Sequence, residues 1–194
     1  MSEKRVIRPA PKRFEDFEVG DVLRSPQGRT VLDADNVWFT SLTQNTNQSH
    51  FNYAYAEGTR FGKPLVNSCL TLAIVTGLSV SLTSEHAVAN LGWEEVRMPK
   101  PVFIGDTLWA ETEVTEMRLS ESNSETGIVS VRSRGVNQRG EVVIEFRRSF
   151  MVHTRAAQLE DDFPQADEPW GSDSDKQTGA EAPGSQEDEV DGLA

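Results

Sequence analysis

One segment limits the folds open to this chain: PLVNSCLTLAIVTGLSVSLT, residues 64–83. Its helical stretch, ending near Ser81, is apolar on almost every side, which predicts a helix buried at the centre of the molecule. Asn67 or Ser68 can cap its start by accepting a backbone N–H of the first turn. Asn67, Ser68, Thr71, Thr76 and Gly77 interrupt the run. It therefore falls short of the roughly 20 mostly apolar residues of a membrane span, and a core helix is expected instead.

What covers such a helix follows it in the chain. Beyond residue 86 the pattern changes to AVANLGWEEVRM, DTLWAETEVTEMRLS, GIVSVRSRGVNQ and EVVIEFRRSFMVHT, separated by MPKPVFIG, ESNSET and RG. TLWAETEVTEM sets Leu108, Ala110, Thr112 and Val114 on one side, the alternation of a strand with one face on the core. Ahead of the central helix, DFEVGDVLRSPQGRTVL (16–32) has turn residues around short apolar runs and predicts a leading hairpin. DADNVWFTSLTQ (33–44) predicts a helix with Asp33 as N-cap, and NYAYAEG (52–58) a short one ending at Gly58. A hairpin and four antiparallel strands around one buried helix make an α+β layer.

The net charge of −12 over 194 residues is unevenly placed. Residues 1–159 carry 18 Lys and Arg against 19 Asp and Glu; residues 160–194 carry one Lys against 12. The expected organisation is an N-terminal extension (1–13), one domain (14–159) and a disordered acidic tail (160–194) too poor in aliphatics to offset its ordering entropy. No basic, aromatic-laced surface for nucleic acid stands out in the domain. Lone Cys69 permits no internal disulfide, and a zinc site or redox pair cannot be built from one thiol. MSEKRVIRPAPKRF lacks the apolar core of a secretory signal, so a cytoplasmic location is expected.

The stretch FTSLTQNTNQSHFNYAYAEG (39–58) places His50 behind seven amides and hydroxyls, Thr43 to Ser49. Short polar side chains compete with the backbone for its hydrogen bonds, so such a run suits a surface loop or the floor of a site.

Three segments together resemble the MaoC-like dehydratases, the hydratase 2 family. LTQNTNQSHF looks like the D-x-N-P-x-H segment, with Asn45 at the Asp position, Asn47 at the Asn and His50 at the His. FGKPLVNSCLTLAIVTGL is similar to the family's lead into its central helix. VRMPKPVFIGDTLWAETEV resembles its PV-x-x-GDTL strand start. The resemblance implies a hot-dog fold, a curved antiparallel sheet wrapped around one long central helix, in homodimers with a continuous sheet. It implies reversible syn addition of water to a 2-enoyl-CoA thioester without a further cofactor or metal. The finer likeness is to mesaconyl-CoA hydratases, which take short branched or dicarboxylic acyl groups.

That chemistry needs a base for water, an acid for C2 and donors for the thioester oxygen. His50, with a reference pKa of about 6.5, suits the base. Asn45 stands where the family has an acid; an amide holds a water but moves no proton. The oxyanion donors are expected in the first helical turn, at Asn67, Ser68 and Cys69, with Asn47 as a further substrate contact. Arg60, Lys63, Arg97 and Lys100 flank the matched segments and are candidates for the CoA phosphates. His86 and His153 lack such context. Trp38, Trp93 and Trp109 are expected in the core or an interface. The alternatives are a hot-dog acyl-CoA thioesterase and a non-catalytic acyl-CoA-binding relative.

Overall fold

The computed structural model describes residues 10–159 together with positions 163, 164 and 167. The expectation of disorder for 160–194 falls almost wholly outside them. The described chain runs β1 (Val22–Arg24), β2 (Arg29–Thr30), α1 (Asp33–Leu42), α2 (Tyr53–Glu57), α3 (Ser68–Thr83), β3 (Ala87–Arg97), β4 (Thr107–Leu119), β5 (Thr126–Asn137) and β6 (Val142–His153). Single 3-10 turns stand at Phe14–Asp16 and Gln48–His50.

The strands form one antiparallel sheet in the order β1-β4-β5-β6-β3, with β2 also on β4. Alternation decides which face turns to the helix. Leu108, Ala110, Thr112 and Val114 of β4 are buried, as are Ile144, Phe146, Arg148, Phe150 and Val152 of β6. Leu70, Ile74 and Val75 of α3 pack with Leu108, Ala110, Ile144 and Phe146. A second cluster joins Phe17, Val114, Val129, Val131, Phe150 and Val152. The helix packs tightly on β5 at Gly135, where an added Cβ would stand 2.6 Å from a Val75 methyl and 2.7 Å from an Ile144 methyl. A sheet wrapped around one long helix is the hot-dog arrangement.

Three details differ from the sequence expectations. The leading segment is not a hairpin: β1 and β2 both pair with β4, Val22 opposite Glu113 and Arg29 opposite Leu108. The Pro-Gln-Gly stretch interrupts one strand direction without reversing it. At the start of α1, Asp33 is the first helical residue and Leu32 precedes it; the Asp35 carboxylate accepts the Leu32 N–H at 2.9 Å. The central helix is covered on one side only. Leu70, Thr71, Ile74, Val75, Ser79 and Thr83 are buried, while Cys69, Ala73 and Gly77 are exposed. Trp38, Trp93 and Trp109 all lie outside the core, which leaves an interface as the expectation for them.

The GDTL turn shows how a motif can serve the fold. Gly105, at φ +91°, takes a left-handed conformation that glycine adopts without strain. Its N–H donates to Val31 O at 2.8 Å. Buried Asp106 accepts from Phe103 N (3.0 Å), Gln138 Nε2 (2.9 Å) and Arg139 Nη1 (2.8 Å). Burial raises the carboxyl pKa, but Arg139 and the other donors outweigh it and hold the group below its ordinary value. Among the described residues no helix is long and apolar enough to cross a membrane.

Candidate active site

The polar stretch before His50 mostly folds itself. Asn45 Oδ1 accepts the Asn47 N–H at 3.0 Å. Asn47 Oδ1 accepts from Ser49 N (3.1 Å) and Ser49 Oγ (2.9 Å) and so caps the 3-10 turn. Asn52 Oδ1 accepts the Tyr55 N–H at 3.0 Å and caps α2. These short amides satisfy a backbone that no regular helix or strand satisfies. The turn they build delivers His50 to a buried position.

The ring of His50 is held at one nitrogen. Nδ1 lies 3.0 Å from the carbonyl oxygen of Leu65. A carbonyl only accepts, so Nδ1 carries the proton and donates it, which leaves the basic lone pair of the neutral ring on Nε2. His50 lines a groove of about 270 Å³ shared with Arg60, Phe61, Ser68, Thr71, Lys100 and Val143. The groove therefore brings the base candidate to the first residue of α3.

At that helix start the three expected oxyanion residues separate. Asn67 is buried and acts as the N-cap, its Oδ1 accepting the Cys69 N–H at 3.0 Å. Cys69 is thereby engaged at its backbone, and its side chain is exposed. Ser68 alone of the three lines the groove. No described hydrogen bond takes its N–H or its hydroxyl, and a first-turn N–H has no intrahelical partner. An anionic oxygen in the groove can thus be met at Ser68, at the positive end of the helix.

The cation candidates divide as well. Arg60 and Lys100 line the groove with His50, whereas Lys63 and Arg97 do not. The Arg60 guanidinium stands 4.6 Å from the Phe61 ring centre, and Lys63 Nζ 4.2 Å from that of Phe103. The two rings meet edge to face at 6.2 Å. Among the described residues neither cation has a carboxylate partner in an ion pair, and each stands over a ring face instead. Lys100 is paired with Glu141 at 2.8 Å. Arg97 faces a neighbouring open groove with Met98, Pro99 and Glu145. Asn45 is half-buried and Asn47 exposed, and no described hydrogen bond joins the Asn45 and His50 side chains. His86 and His153 lie outside the groove. Among the described residues no cluster of three or more His, Cys, Asp or Glu is placed to hold a metal ion.

Sequence reasoning missed Asn36. This side chain is fully buried on α1 and bonds to three backbone groups on two separate segments, His50 O, Leu65 O and Asn67 N. The signal was an amide four residues before Thr40 on a helix face that must turn inward.

Comparison with known proteins bears on the family and the fold. The chain is 35% identical over 146 residues to mesaconyl-CoA hydratase of Cereibacter sphaeroides, covering 75% of this chain and 42% of that protein. The chain spans about two fifths of the length of the first curated relatives it matches. The crystal structure of the MaoC-like dehydratase from Rhodospirillum rubrum superposes with a TM-score of 0.67 at 29% identity, over 75% of this chain and 99% of that one. A Mycobacterium tuberculosis protein with a double hot-dog fold matches with a TM-score of 0.68 at 22% identity, over 93% of this chain and 54% of that one, which speaks for the fold alone. The family model described as MaoC like domain matches residues 15–137. With the central helix, the histidine turn and every strand but β6 inside that span, the chain belongs to the MaoC-like domain family.

Proposed function

We propose that this protein is an acyl-CoA hydratase/dehydratase, a hydro-lyase that adds water reversibly and syn to a 2-enoyl-CoA thioester. The observation that carries the proposal is the His50 ring, fixed through Nδ1 on Leu65 O and set in the groove that also reaches the start of α3. In hydration, Nε2 takes a proton from water while the oxygen bonds to C3. Electron density moves to the thioester oxygen, which the Ser68 N–H and hydroxyl receive. The imidazolium then returns its proton to C2 from the same side, and the enolate collapses to the 3-hydroxyacyl thioester.

Asn45 is assigned to holding the attacking water, and Asn47 to shaping the turn. Asn67 and Cys69 form the capped turn that presents Ser68. Arg60 and Lys63 are the first choice for the CoA phosphates, with Arg97 and Lys100 beyond them. The likeness to mesaconyl-CoA hydratase favours a short branched or dicarboxylic acyl group. No cofactor enters these steps, and the working unit is the domain 14–159 with its tail outside the chemistry, in the cytoplasm. A homodimer is part of the same proposal: the edge strand β3 exposes Val88, Leu91, Trp93 and Val96, an apolar edge that a second copy can cover.

The test is incubation with crotonyl-CoA and mesaconyl-CoA, followed by mass spectrometry. A product heavier by one water supports the hydratase. Free CoA would replace it with a thioesterase, and unchanged but bound substrate with a non-catalytic acyl-CoA-binding protein.

A further inference from the structure

We propose that Asn36 is the positioning residue that sets both the histidine and the helix start of this site. The proposal rests on the hydratase reading for its effect on turnover, but its geometry stands apart from it. Asn36 is 0% exposed. Its Nδ2 donates to His50 O at 2.7 Å and to Leu65 O at 3.0 Å, using both of its N–H groups. Its Oδ1 accepts the Asn67 N–H at 2.8 Å. One amide thus holds the backbone of the base, the carbonyl that orients the base's ring, and the residue that caps α3.

Leu65 O is the joint of this arrangement. It accepts from Asn36 Nδ2 and from His50 Nδ1 together. Fixing the carbonyl from one side fixes the ring on the other, and with it the tautomer that leaves Nε2 basic. One turn further along α1, Thr40 extends the same buried stripe. Its hydroxyl accepts from Asn67 Nδ2 at 3.3 Å, and its carbonyl accepts the Asn45 N–H at 3.0 Å. Catalysis by a positioned base is steep in geometry: a misplacement of about 1 Å costs roughly a hundredfold. Asn36 does not itself line the groove, so its role is to hold the residues that do.

The experiment follows the tautomer directly. With ring-¹⁵N histidine in the full chain, His50→Gln assigns the His50 signals. The wild type should show His50 protonated at Nδ1 and bare at Nε2 near pH 8. Asn36→Asp keeps the shape and the acceptor for Asn67 but loses both donors, and Asn36→Ser is the second choice. In either, the His50 signals should move toward the Nε2–H form that free histidine favours. Turnover of the enoyl-CoA should fall by roughly 10–100-fold with KM within about threefold, a loss in kcat. Thr40→Val should leave the tautomer as in wild type.

Three results would overturn the proposal. They are a wild-type ring protonated at Nε2, folded Asn36 variants with an unchanged ring, or a Thr40→Val ring that shifts equally, which means general loosening of α1. Loss of the circular-dichroism spectrum in both Asn36 variants would likewise assign the residue to stability alone. A wild type that hydrates no enoyl-CoA while the ring shifts as expected leaves the ring-setting role standing and removes the hydratase reading.

Discussion

The two sides of the central helix are held by different physics. Toward the sheet, α3 meets methyls and rings, with Val75, Leu108, Ile144 and Phe146 almost wholly out of water. At its start, the same helix meets amides and carbonyls: Asn36, Asn67, Thr40 and the backbone of His50 and Leu65. Apolar contact is non-directional and tolerates small shifts, whereas a saturated amide has one orientation that satisfies all its partners. The contrast teaches where stability and where precision are stored. The sheet side keeps the helix in place; the polar side keeps the helix start and the histidine in register.

The largest test of that division is His50→Gln. Removing a general base typically costs two to four orders of magnitude in rate, and turnover should fall by about that much while CoA binding persists. Turnover near wild type would mean that the polar side serves the fold alone. Next comes Phe146→Ala on the sheet side, expected to lower unfolding free energy by about 3–5 kcal/mol, read by urea denaturation. A loss below about 1 kcal/mol would show that the sheet side is not where stability sits.

Asp106→Asn is expected to cost less, about 1–3 kcal/mol, because a hydrogen-bonded buried carboxylate is lost. Its pH dependence has a definite sign. The folded pKa of Asp106 lies below the unfolded value, so the carboxylate's contribution is full above about pH 4 and is lost as pH falls through the folded pKa. Wild type and variant should converge in Tm toward low pH; a constant gap would exclude this linkage. The smallest stability effect is expected from Asn45→Asp, within about 0.5 kcal/mol, since a carboxylate still accepts the Asn47 N–H. A charge within reach of the imidazole favours its protonated form, so the acid limb of kcat/KM should move to higher pH. An unmoved limb would separate Asn45 from the proton transfer.

Period-two and helical patterns made the sheet side legible from sequence. Leu108, Ala110, Thr112 and Val114 turn inward as their alternation requires, and α3 begins at its Asn67 cap. The helix was expected to be buried all round because composition does not reveal that Ala73 and Gly77 face away from the sheet. The leading segment was misread because Pro-Gln-Gly signals a reversal locally, while pairing with β4 decides the direction. On the polar side, the motif located His50 but not the partners that orient it. Asn36 lies 14, 29 and 31 residues from the groups it bonds, separations that no local pattern encodes.

The strand order carries a consequence for how the chain is made. β3 leaves the ribosome before β4, yet its partner is β6, with Ala87 opposite Val152 and Arg97 opposite Glu145. The meander β4-β5-β6 can assemble from neighbours in sequence, but β3 must wait some fifty residues of synthesis for its mate. Non-local pairings of this kind are slow to close, and an unmatched apolar strand is a hazard in a nascent chain. A ribosome stalled before Val142 would hold β3 without the strand that joins it to the sheet, so β6, the last of the described strands in sequence, completes the wrap around the helix.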